Sequence, residues 1–565
     1  MYFSLSVQYL FTIPKMELNI LGLCVVIALY LAILLLGIWA AWTNRRKGKG
    51  NKSEVIMVAN RDIGFLLGSF TVTATWVGGG YINGTSEAVY APGLGLIWTQ
   101  APWCLAIGVT LVGFFIAEKM RNASYVTMLD PLQNKLGRHM GALLFLPALC
   151  GDIFWAASIL SALGGTLSVI LNIDVKISVI FSSCVSILYT LVGGLYAVAY
   201  TDVVQLLCMF GGLWLCIPFA MTHPAVTEIT LTSHMNGNET GWLGELDPKL
   251  GWEWFDFAVT LVGGAVPWQV YYQRVLACKD ARTAKLLSVV SAAGFLVLTI
   301  PPVIIGAIAA STDWNATDYE FADGPAANNE SSLVLPLVLQ YLTPTPVAII
   351  GLAAVSSAVM SSTDSITLSS ASMFSHNVYK KVIRPHASDR ETVWVIRIGI
   401  IVIGAAACAL ALAATSVYGL FVLCVDVAFV VLSPQMVCVL YFDINTYGAL
   451  PAFFVGFLLR IGGGEPAFNF DPIIPYPGGK TFPFRTFSML MSLGTLLSLS
   501  YLAKFLFEKK YIPAKYDIFQ CKLASGGRTR FTNEKDEKKS SINNGGQELL
   551  EVEKLKSEEG DELLI

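Results

Sequence analysis

Charged residues are scarce over most of this chain. They make up 14% of its 565 residues, whereas a soluble domain usually carries about 25%. Of the 37 Lys and Arg and the 40 Asp and Glu residues, 24 lie between Lys504 and Ile565. A net charge of -3 without a basic face also argues against a nucleic-acid binder. The scarcity excludes an ordinary soluble enzyme and a disordered regulator, and it favours a polytopic membrane protein with a polar tail.

Histidine and paired cysteines are rare as well. The 5 His residues are predicted to lie in loops or at segment ends, and the chain has no HExxH sequence. This argues against a metal-dependent membrane enzyme. The 11 Cys residues include no CxxC pair and lie mostly in apolar stretches, so small buried side chains are favoured over a disulfide framework. Without a catalytic His or an activated nucleophile pair, we predict that the protein is not an enzyme.

Long apolar segments are abundant. Hydrophobic residues make up 55% of the chain, and about 20 apolar residues suffice to cross about 30 Å of hydrocarbon. We therefore predict an all-α membrane protein with an extracellular segment at 1–17, a transmembrane domain at 18–507 and a cytoplasmic tail at 508–565. The thirteen predicted helices are 18–42, 62–84, 94–117, 141–171, 177–195, 201–221, 252–272, 284–310, 346–374, 393–414, 417–442, 446–461 and 484–507.

Basic residues between these segments determine the predicted orientation. Two gaps have few basic residues: 222–251 has only Lys249, and 311–345 has none. We therefore place the amino terminus outside and the tail in the cytoplasm, with Met16 as an alternative start to Met1. Lys and Arg are frequent in the gaps 43–61, 118–140, 273–283 and 375–392. Glycosylation sequons in the predicted outer loops begin at Asn238, Asn315 and Asn329.

Two predicted helices contain residues that disfavour a helix. The second has three glycines at 78–80, each costing about 1 kcal/mol relative to Ala. The seventh has the sequence GGAVP at 263–267, and proline removes a donor and clashes one turn back. Close helix packing and a simple kink are the alternatives. Interrupted helices at matching places in two five-helix halves are typical of transporters, and we predict inverted repeats at about 62–221 and 252–442.

The ninth predicted helix is rich in hydroxyl groups. Ten of the seventeen residues from Ser356 to Ser372 are Ser or Thr, and Asp364 lies among them. Bonding of the hydroxyls to their own helix is the simpler interpretation. A carboxylate in a membrane helix costs about 3 kcal/mol and is usually functional, so we predict a site for a small hard cation. Asp202, at the predicted start of the sixth helix, is either a helix cap or a functional carboxylate.

Tryptophans accompany both predicted breaks. Trp76 lies beside the glycine run and Trp268 follows the proline of the seventh helix, while Trp155 lies in the middle of the fourth. A single buried Trp is more often part of a core than a ligand. Tryptophan at both breaks is typical of an aromatic cage, which recognises quaternary ammonium groups. The pattern favours an organic cation as the substrate.

These residues resemble the sodium/solute symporter family. The resemblance extends from about Leu18 to about Lys515, and it includes 73–85, 125–131, 200–205, 267–269 and the run through Asp364. It implies a LeuT-like fold of five plus five helices with extra helices at the ends. The similarity is to members that carry choline. It therefore implies sodium-coupled, chloride-dependent choline import by alternating access at the plasma membrane of presynaptic terminals, supplying acetylcholine synthesis.

The resemblance also implies site residues. A choline cage would consist of Trp76, Trp155 and Trp268, with Asp152 offsetting the charge. The family has a further aromatic near position 105, where this chain has Leu105, and Trp103 is the candidate to replace it. A first sodium site would use the carbonyls of Ala74, Val77 and Ala358 with the hydroxyls of Ser361 and Ser362. A second ion site would use Asp202, Asp364 and Ser365.

The tail ends in an acidic dileucine pattern formed by Glu559, Leu563 and Leu564. This pattern is typical of clathrin-adaptor binding and would suit a protein that cycles through recycling vesicles. The sequence is compatible with a homo-oligomer. Two alternative functions remain open: a sodium symporter of the same fold for a sugar, vitamin or anion, and a non-transporting sensor or channel.

Overall fold

A computed structural model describes residues 19–47, 52–192, 194–234, 241–321, 323–413, 416–465 and 470–519. Within these ranges the chain forms helices joined by loops, which confirms the predicted all-α class. The first eight long helices are α1 (Ile20–Lys47), α2 (Phe65–Trp76), α3 (Gly79–Tyr90), α4 (Ala101–Val112), α5 (Arg138–Leu171), α6 (Val175–Val192), α7 (Leu195–Met221) and α8 (Gly251–Gly264). The remaining ones are α9 (Gln269–Ala277), α10 (Ala281–Ala310), α11 (Thr345–Met373), α12 (Asp389–Ala411), α13 (Val417–Tyr441), α14 (Thr446–Gly462) and α15 (Phe484–Glu508).

Every predicted membrane segment coincides with one of these helices or with a pair of them. In the described part of the chain, nine helices are long and apolar enough to cross a membrane. Others, such as α2 and α14, are apolar but shorter. The prediction of a polytopic membrane protein is confirmed, whereas the number of thirteen helices stays a prediction.

Both predicted helix breaks are present. Between α2 and α3, Val77 has φ -85° and ψ 65°, and Gly78 is extended with φ -106° and ψ -164°. A Cβ on Gly78 would lie 1.8 Å from Ser362 Oγ, so only glycine fits this approach. Between α8 and α9 the chain turns, and Trp268 is extended with φ -109° and ψ 112°. Pro267 precedes it and cannot continue the helical hydrogen bonding.

Helix α11 lies at the centre of the bundle. It packs against α5, α7 and α12, and every residue from Gly351 to Met373 is buried. Helices at the periphery instead expose apolar side chains, such as Ile401 of α12 and Leu502 of α15. Apolar side chains on the outside and hydroxyl groups at the centre are the arrangement expected of a membrane transporter. The centre is therefore where a polar site is positioned.

Two interpretations of the sequence were wrong about helix boundaries. Helix α7 begins at Leu195 and not near 201, so Asp202 lies inside the helix, fully buried, and is not its cap. Helix α9 extends to Ala277, which places Arg274 on a helix and not in the basic loop 273–283. Arg274 is fully buried as well. Polar residues usually mark the ends of apolar segments, but these two lie 3.6 Å apart inside the protein and offset each other's charge.

Candidate functional site

The three predicted cage tryptophans meet where the two breaks face α5. Their ring centroids are 5.4 Å apart for Trp76 and Trp155, 6.0 Å for Trp76 and Trp268, and 5.0 Å for Trp155 and Trp268. Trp76 is the last residue of α2, directly before the non-helical Val77, whereas Trp268 is itself extended and directly precedes α9. All three are almost fully buried. The structure therefore brings together residues that are far apart in the sequence.

A fourth ring joins this aromatic cluster. Phe295 of α10 lies 6.0 Å from Trp76, centroid to centroid, and is completely buried. Phe295 is not among the predicted site residues, because it lies within an ordinary apolar helix, with no break or charge to mark it. Three indoles and a phenyl ring present π faces that attract an organic cation within about 6 Å of a ring centroid.

The aromatic cluster is closed in this structure. The indoles are in mutual contact, so the face of each ring is partly covered by its neighbours. The indole Nε1 groups of Trp76 and Trp268 are buried and have no hydrogen-bond partner among the described residues. A cation that enters the cluster must push the rings apart. The orphaned N–H groups are free to reorient when this happens.

Trp103 and Leu105 lie on α4, outside the ring contacts of the cluster. Among the described rings, Trp103 is not one of those that contact the three indoles, and it is half-buried. Leu105 is completely buried. The proposed replacement of a family aromatic by Trp103 therefore has no support from a ring contact.

Asp152 lies on α5, three residues before Trp155. It is only 2% exposed, and its Oδ2 accepts a hydrogen bond from the Ser370 hydroxyl of α11. The carboxylate is thus held beside the aromatic cluster by the central helix. A buried negative charge at this place would favour a cation nearby.

The first predicted ion site lies where the break of α2 meets α11. Ser362 Oγ donates to the carbonyl of Thr75 at 2.8 Å and lies 3.5 Å from the carbonyl of Ala358. Ala74 and Val77 lie at the carboxyl end of α2, where the last carbonyls of a helix lack intrahelical donors. Oxygen atoms of this kind suit a small hard cation.

The residues of the predicted second ion site have separate partners. Asp202 Oδ1 accepts from Ser361 Oγ at 2.5 Å, and Asp202 Oδ2 accepts from the Thr71 hydroxyl. Ser361 is thus bonded to Asp202 and not to the break. Asp364 Oδ1 accepts from Thr190 of α6 at 2.6 Å, while its buried Oδ2 has no hydrogen-bond partner among the described residues.

A buried arginine occupies the space between these groups. Arg274 Nη2 donates to Ser365 Oγ at 2.5 Å and lies 3.6 Å from Asp202 Oδ2. Ser365 Oγ also lies 3.1 Å from the hydroxyl of Thr75 beside the break. Arg274 is not among the site residues predicted from the sequence. The fact that it follows a predicted membrane helix by only two residues was the available signal.

A separate ionic cluster joins the helical segment Phe374–Ile383, which continues α11, to a short helix before α5. Asp130 begins the short helix Asp130–Leu136 and lies 2.5 Å from Lys381 Nζ and 3.2 Å from His376 Nε2. Burial raises the pKa of Asp130, but the charges and hydrogen bonds of His376 and Lys381 outweigh it and hold the pKa well below its usual range. The cluster connects two segments that are predicted to face the cytoplasm.

Of the predicted modification and trafficking residues, the structure describes only two. Asn315 and Asn329 are exposed on the loop between α10 and α11, which leaves glycosylation there as a prediction. Asn238 and the tail residues Glu559, Leu563 and Leu564 lie outside the described residues.

The chain is similar to known proteins over most of its length. The profile of the sodium:solute symporter family matches residues 56–456. "High affinity choline transporter 1" of Homo sapiens is 51% identical over 520 residues, with 90% of each chain covered. The Drosophila melanogaster protein named "High-affinity choline transporter 1" is 51% identical over 512 residues, covering 89% of this chain and 81% of the relative.

One solved structure agrees in fold at low sequence identity. A Na⁺-coupled sialic acid symporter in a substrate-bound outward-open state has a TM-score of 0.66 and 17% identity, covering 86% of this chain and 98% of its own. This similarity confirms the LeuT-like fold expected from the sequence.

Proposed function

Because the chain belongs to the sodium:solute symporter family, we propose that it imports choline together with sodium. The main support for choline as the substrate is the aromatic cluster at the two breaks, whose ring centroids are 5.0 to 6.0 Å apart. Choline carries a quaternary ammonium group that cannot donate a hydrogen bond, and π faces are the surfaces that recognise it. The names of the relatives that are 51% identical support the same substrate.

Sodium binds, in this proposal, between the break of α2 and the central helix α11. The carbonyls of Ala74, Val77 and Ala358 and the hydroxyl of Ser362 would supply its oxygen ligands. The hydroxyl of Ser361, which bonds to Asp202 in this structure, would have to turn toward the break to join them. Sodium there braces α2 against α11 and keeps the cluster accessible from outside. A second ion site remains a prediction. It would consist of Asp202, Asp364 and Ser365.

The transport cycle is proposed to be alternating access. Choline enters the opened aromatic cluster, the outer side closes, and the inner side opens. On the inner side, the Asp130 cluster with Lys381 must separate for release. Choline and sodium are both cations, so an interior-negative membrane potential assists each by about 2.3 kcal/mol per 100 mV.

The remaining features of the proposal concern the setting. Uptake would depend on chloride and would supply acetylcholine synthesis, with the protein in the plasma membrane of presynaptic terminals and in recycling vesicles. The amino terminus would lie outside and the tail in the cytoplasm. The tail's acidic dileucine pattern would bind a clathrin adaptor.

The test is uptake of radiolabelled choline by cells that express the protein. We expect saturable uptake in sodium that falls to background when lithium or N-methylglucamine replaces it. Unchanged uptake after the replacement would contradict sodium coupling.

The alternative within the fold is another organic substrate. A relative of 25% identity over 423 residues is named "Sodium/glucose cotransporter", so the family scaffold itself does not settle the substrate. Competition separates the two: unlabelled choline, and neither glucose nor iodide, should inhibit uptake. Current without saturable uptake would instead favour a channel.

A further inference from the structure

A series of buried polar contacts leads from the aromatic cluster toward the predicted inner side. Gln269 is the first residue of α9 and directly follows Trp268 of the cluster. Its side-chain oxygen accepts a hydrogen bond from the backbone N–H of Met128 at 2.8 Å. Both Gln269 and Met128 are buried, so the bond is shielded from solvent. It connects the cluster to the loop that precedes the short helix Asp130–Leu136.

The series continues from the residue before Met128 to the segment Phe374–Ile383. The hydroxyl of Thr127 donates to the side-chain oxygen of Asn377 at 2.6 Å. Asn377 lies in that segment and is completely buried, and its amide nitrogen donates to Asp130 at 3.0 Å and to Gln133 at 2.7 Å. The loop and the short helix are therefore fastened to the segment that continues α11.

The backbone at Trp268 can pass a movement from the rings to this series. Trp268 is extended and lies between the end of α8 and the start of α9, so it can shift without breaking either helix. Its ring is confined by two other indoles, at 5.0 and 6.0 Å, and by Gly151 of α5, where a Cβ would lie 3.8 Å from Trp268 Cη2. A cation that enters the cluster therefore displaces the backbone with the ring. Gln269 moves as well, because the peptide group between the two residues is planar.

We propose that Gln269 couples filling of the aromatic cluster to opening of the inner side. Displacement of Trp268 by choline breaks the hydrogen bond between Met128 and Gln269. This frees the loop and the short helix Asp130–Leu136 to separate from the segment that continues α11. Gln269 is a positioning residue, because it acts through Trp268. The inference deepens the proposed function and rests on it.

The bond at Met128 resists opening because its donor is buried. A buried N–H that loses its partner costs more free energy than an exposed one, since water does not replace the acceptor. Only a ligand that binds more tightly to the opened arrangement offsets this cost. Choline does so through the π faces beside Trp268, whereas sodium at the break of α2 leaves Trp268 in place. Sodium alone should therefore leave the inner side closed.

The experiment measures ²²Na⁺ uptake with and without choline in cells that express each variant at a measured surface level. In the unmodified protein, sodium should enter only together with choline. Gln269→Met keeps the approximate size of the side chain and removes the acceptor. Sodium uptake without choline should then rise about fivefold, as expected for the loss of one buried hydrogen bond. Gln269→Glu keeps an acceptor and should behave like the unmodified protein.

A second pair of variants tests the same series at its next contact. Thr127→Val removes the hydroxyl that donates to Asn377 and keeps the shape of the side chain. It should also allow sodium uptake without choline. Thr127→Ser keeps the hydroxyl and should not. This pair decides the question if Gln269→Met does not reach the cell surface.

Sodium uptake without choline that stays at the level of the unmodified protein in Gln269→Met and Thr127→Val would overturn the inference. Equal choline-free uptake by Gln269→Glu and Gln269→Met would overturn it too, because the acceptor would then not matter. A joint fall of sodium and choline uptake, without uptake of sodium alone, would show a merely structural role and contradict it. Choline uptake by the unmodified protein separates the two proposals: its presence in sodium leaves the proposed function standing when the inference fails, and its absence overturns the proposed function.

Discussion

The aromatic cluster and the polar groups around Asp202 lie on either side of the same broken helix, yet they are built on opposite principles. In the aromatic cluster, rings contact one another, and the N–H groups of Trp76 and Trp268 have no hydrogen-bond partner in the part of the chain that the structure describes. Around Asp202, hydroxyl groups and a guanidinium hold both carboxylate oxygens. The first region is left adaptable and the second is rigidly paired. The difference suits a large soft cation among the rings, whereas around Asp202 the guanidinium of Arg274 already supplies the positive charge.

The breaks make this division possible. A continuous helix would present side chains only, and its carbonyls would be bonded internally. At Gly78 the chain instead approaches Ser362 directly, while the preceding Trp76 turns into the aromatic cluster. One interruption therefore serves both regions. The following five changes test how separate they are, beginning with the largest expected effect.

Gly78→Ala should damage both regions together. The added methyl group would lie 1.8 Å from Ser362 Oγ and 2.5 Å from its Cβ, so α2 and α11 must separate. We expect choline uptake to fall close to background at a measured surface level of the protein. Gly211→Ala on α7 is the matched control, because a Cβ there meets no atom of the described residues within 4 Å. Normal uptake by Gly78→Ala would refute the close approach.

Trp268→Leu should damage only the aromatic cluster. Loss of one desolvated cation–π contact costs about 2 kcal/mol, equivalent to an increase of about thirtyfold in the choline concentration for half-maximal uptake. The sodium dependence should stay the same. Trp268→Phe keeps a weaker π face and should show a smaller increase. If the sodium concentration for half-maximal uptake rose by as large a factor as the choline concentration, the two regions would not be independent.

Ser362→Ala should damage only the oxygen side. The hydroxyl that faces the Thr75 carbonyl at 2.8 Å would be lost, at a cost of about 1 kcal/mol. We expect the sodium concentration for half-maximal uptake to rise about fivefold, with choline affinity unchanged at saturating sodium. Thr495→Ala on α15, whose hydroxyl is exposed, serves as the control and should change neither curve.

Phe295→Leu should have a moderate effect on the aromatic cluster. Its contact with Trp76 at 6.0 Å is of the kind that contributes about 0.5–1.5 kcal/mol, so choline affinity should fall about threefold to tenfold. Phe505→Leu on α15 is the control, because that ring is 50% exposed. If both changes lowered choline affinity equally, Phe295 would have no specific role in binding choline.

Trp103→Leu should have the smallest effect. Trp103 is not among the described rings in contact with the three indoles, so choline affinity should change by less than about twofold, well under 1 kcal/mol. A loss as large as that of Trp268→Leu would return Trp103 to the aromatic cluster and show that α4 moves toward it when choline binds.

Much of this arrangement was predictable because it depends on residues that are close together in the sequence. Three glycines and a proline mark the breaks, and tryptophans beside them mark the aromatic side. Phe295 was not predictable, since a phenylalanine in an apolar helix looks the same whether it faces lipid or a site. The pairing of Asp364 with Thr190, 174 residues apart, likewise depends on how α6 packs against α11.

The sequence by itself determined the helical membrane class, the places of both breaks, the cage tryptophans and the hydroxyl-rich central helix. Hydropathy and backbone preference are properties of short segments, and they survive without knowledge of packing. Only the tertiary structure decided which groups neutralise each other. Asp202 looked like a helix cap and Arg274 like a loop residue because each charge alone avoids the membrane. Together they are buried at 3.6 Å, since opposite charges in contact lower each other's cost of burial.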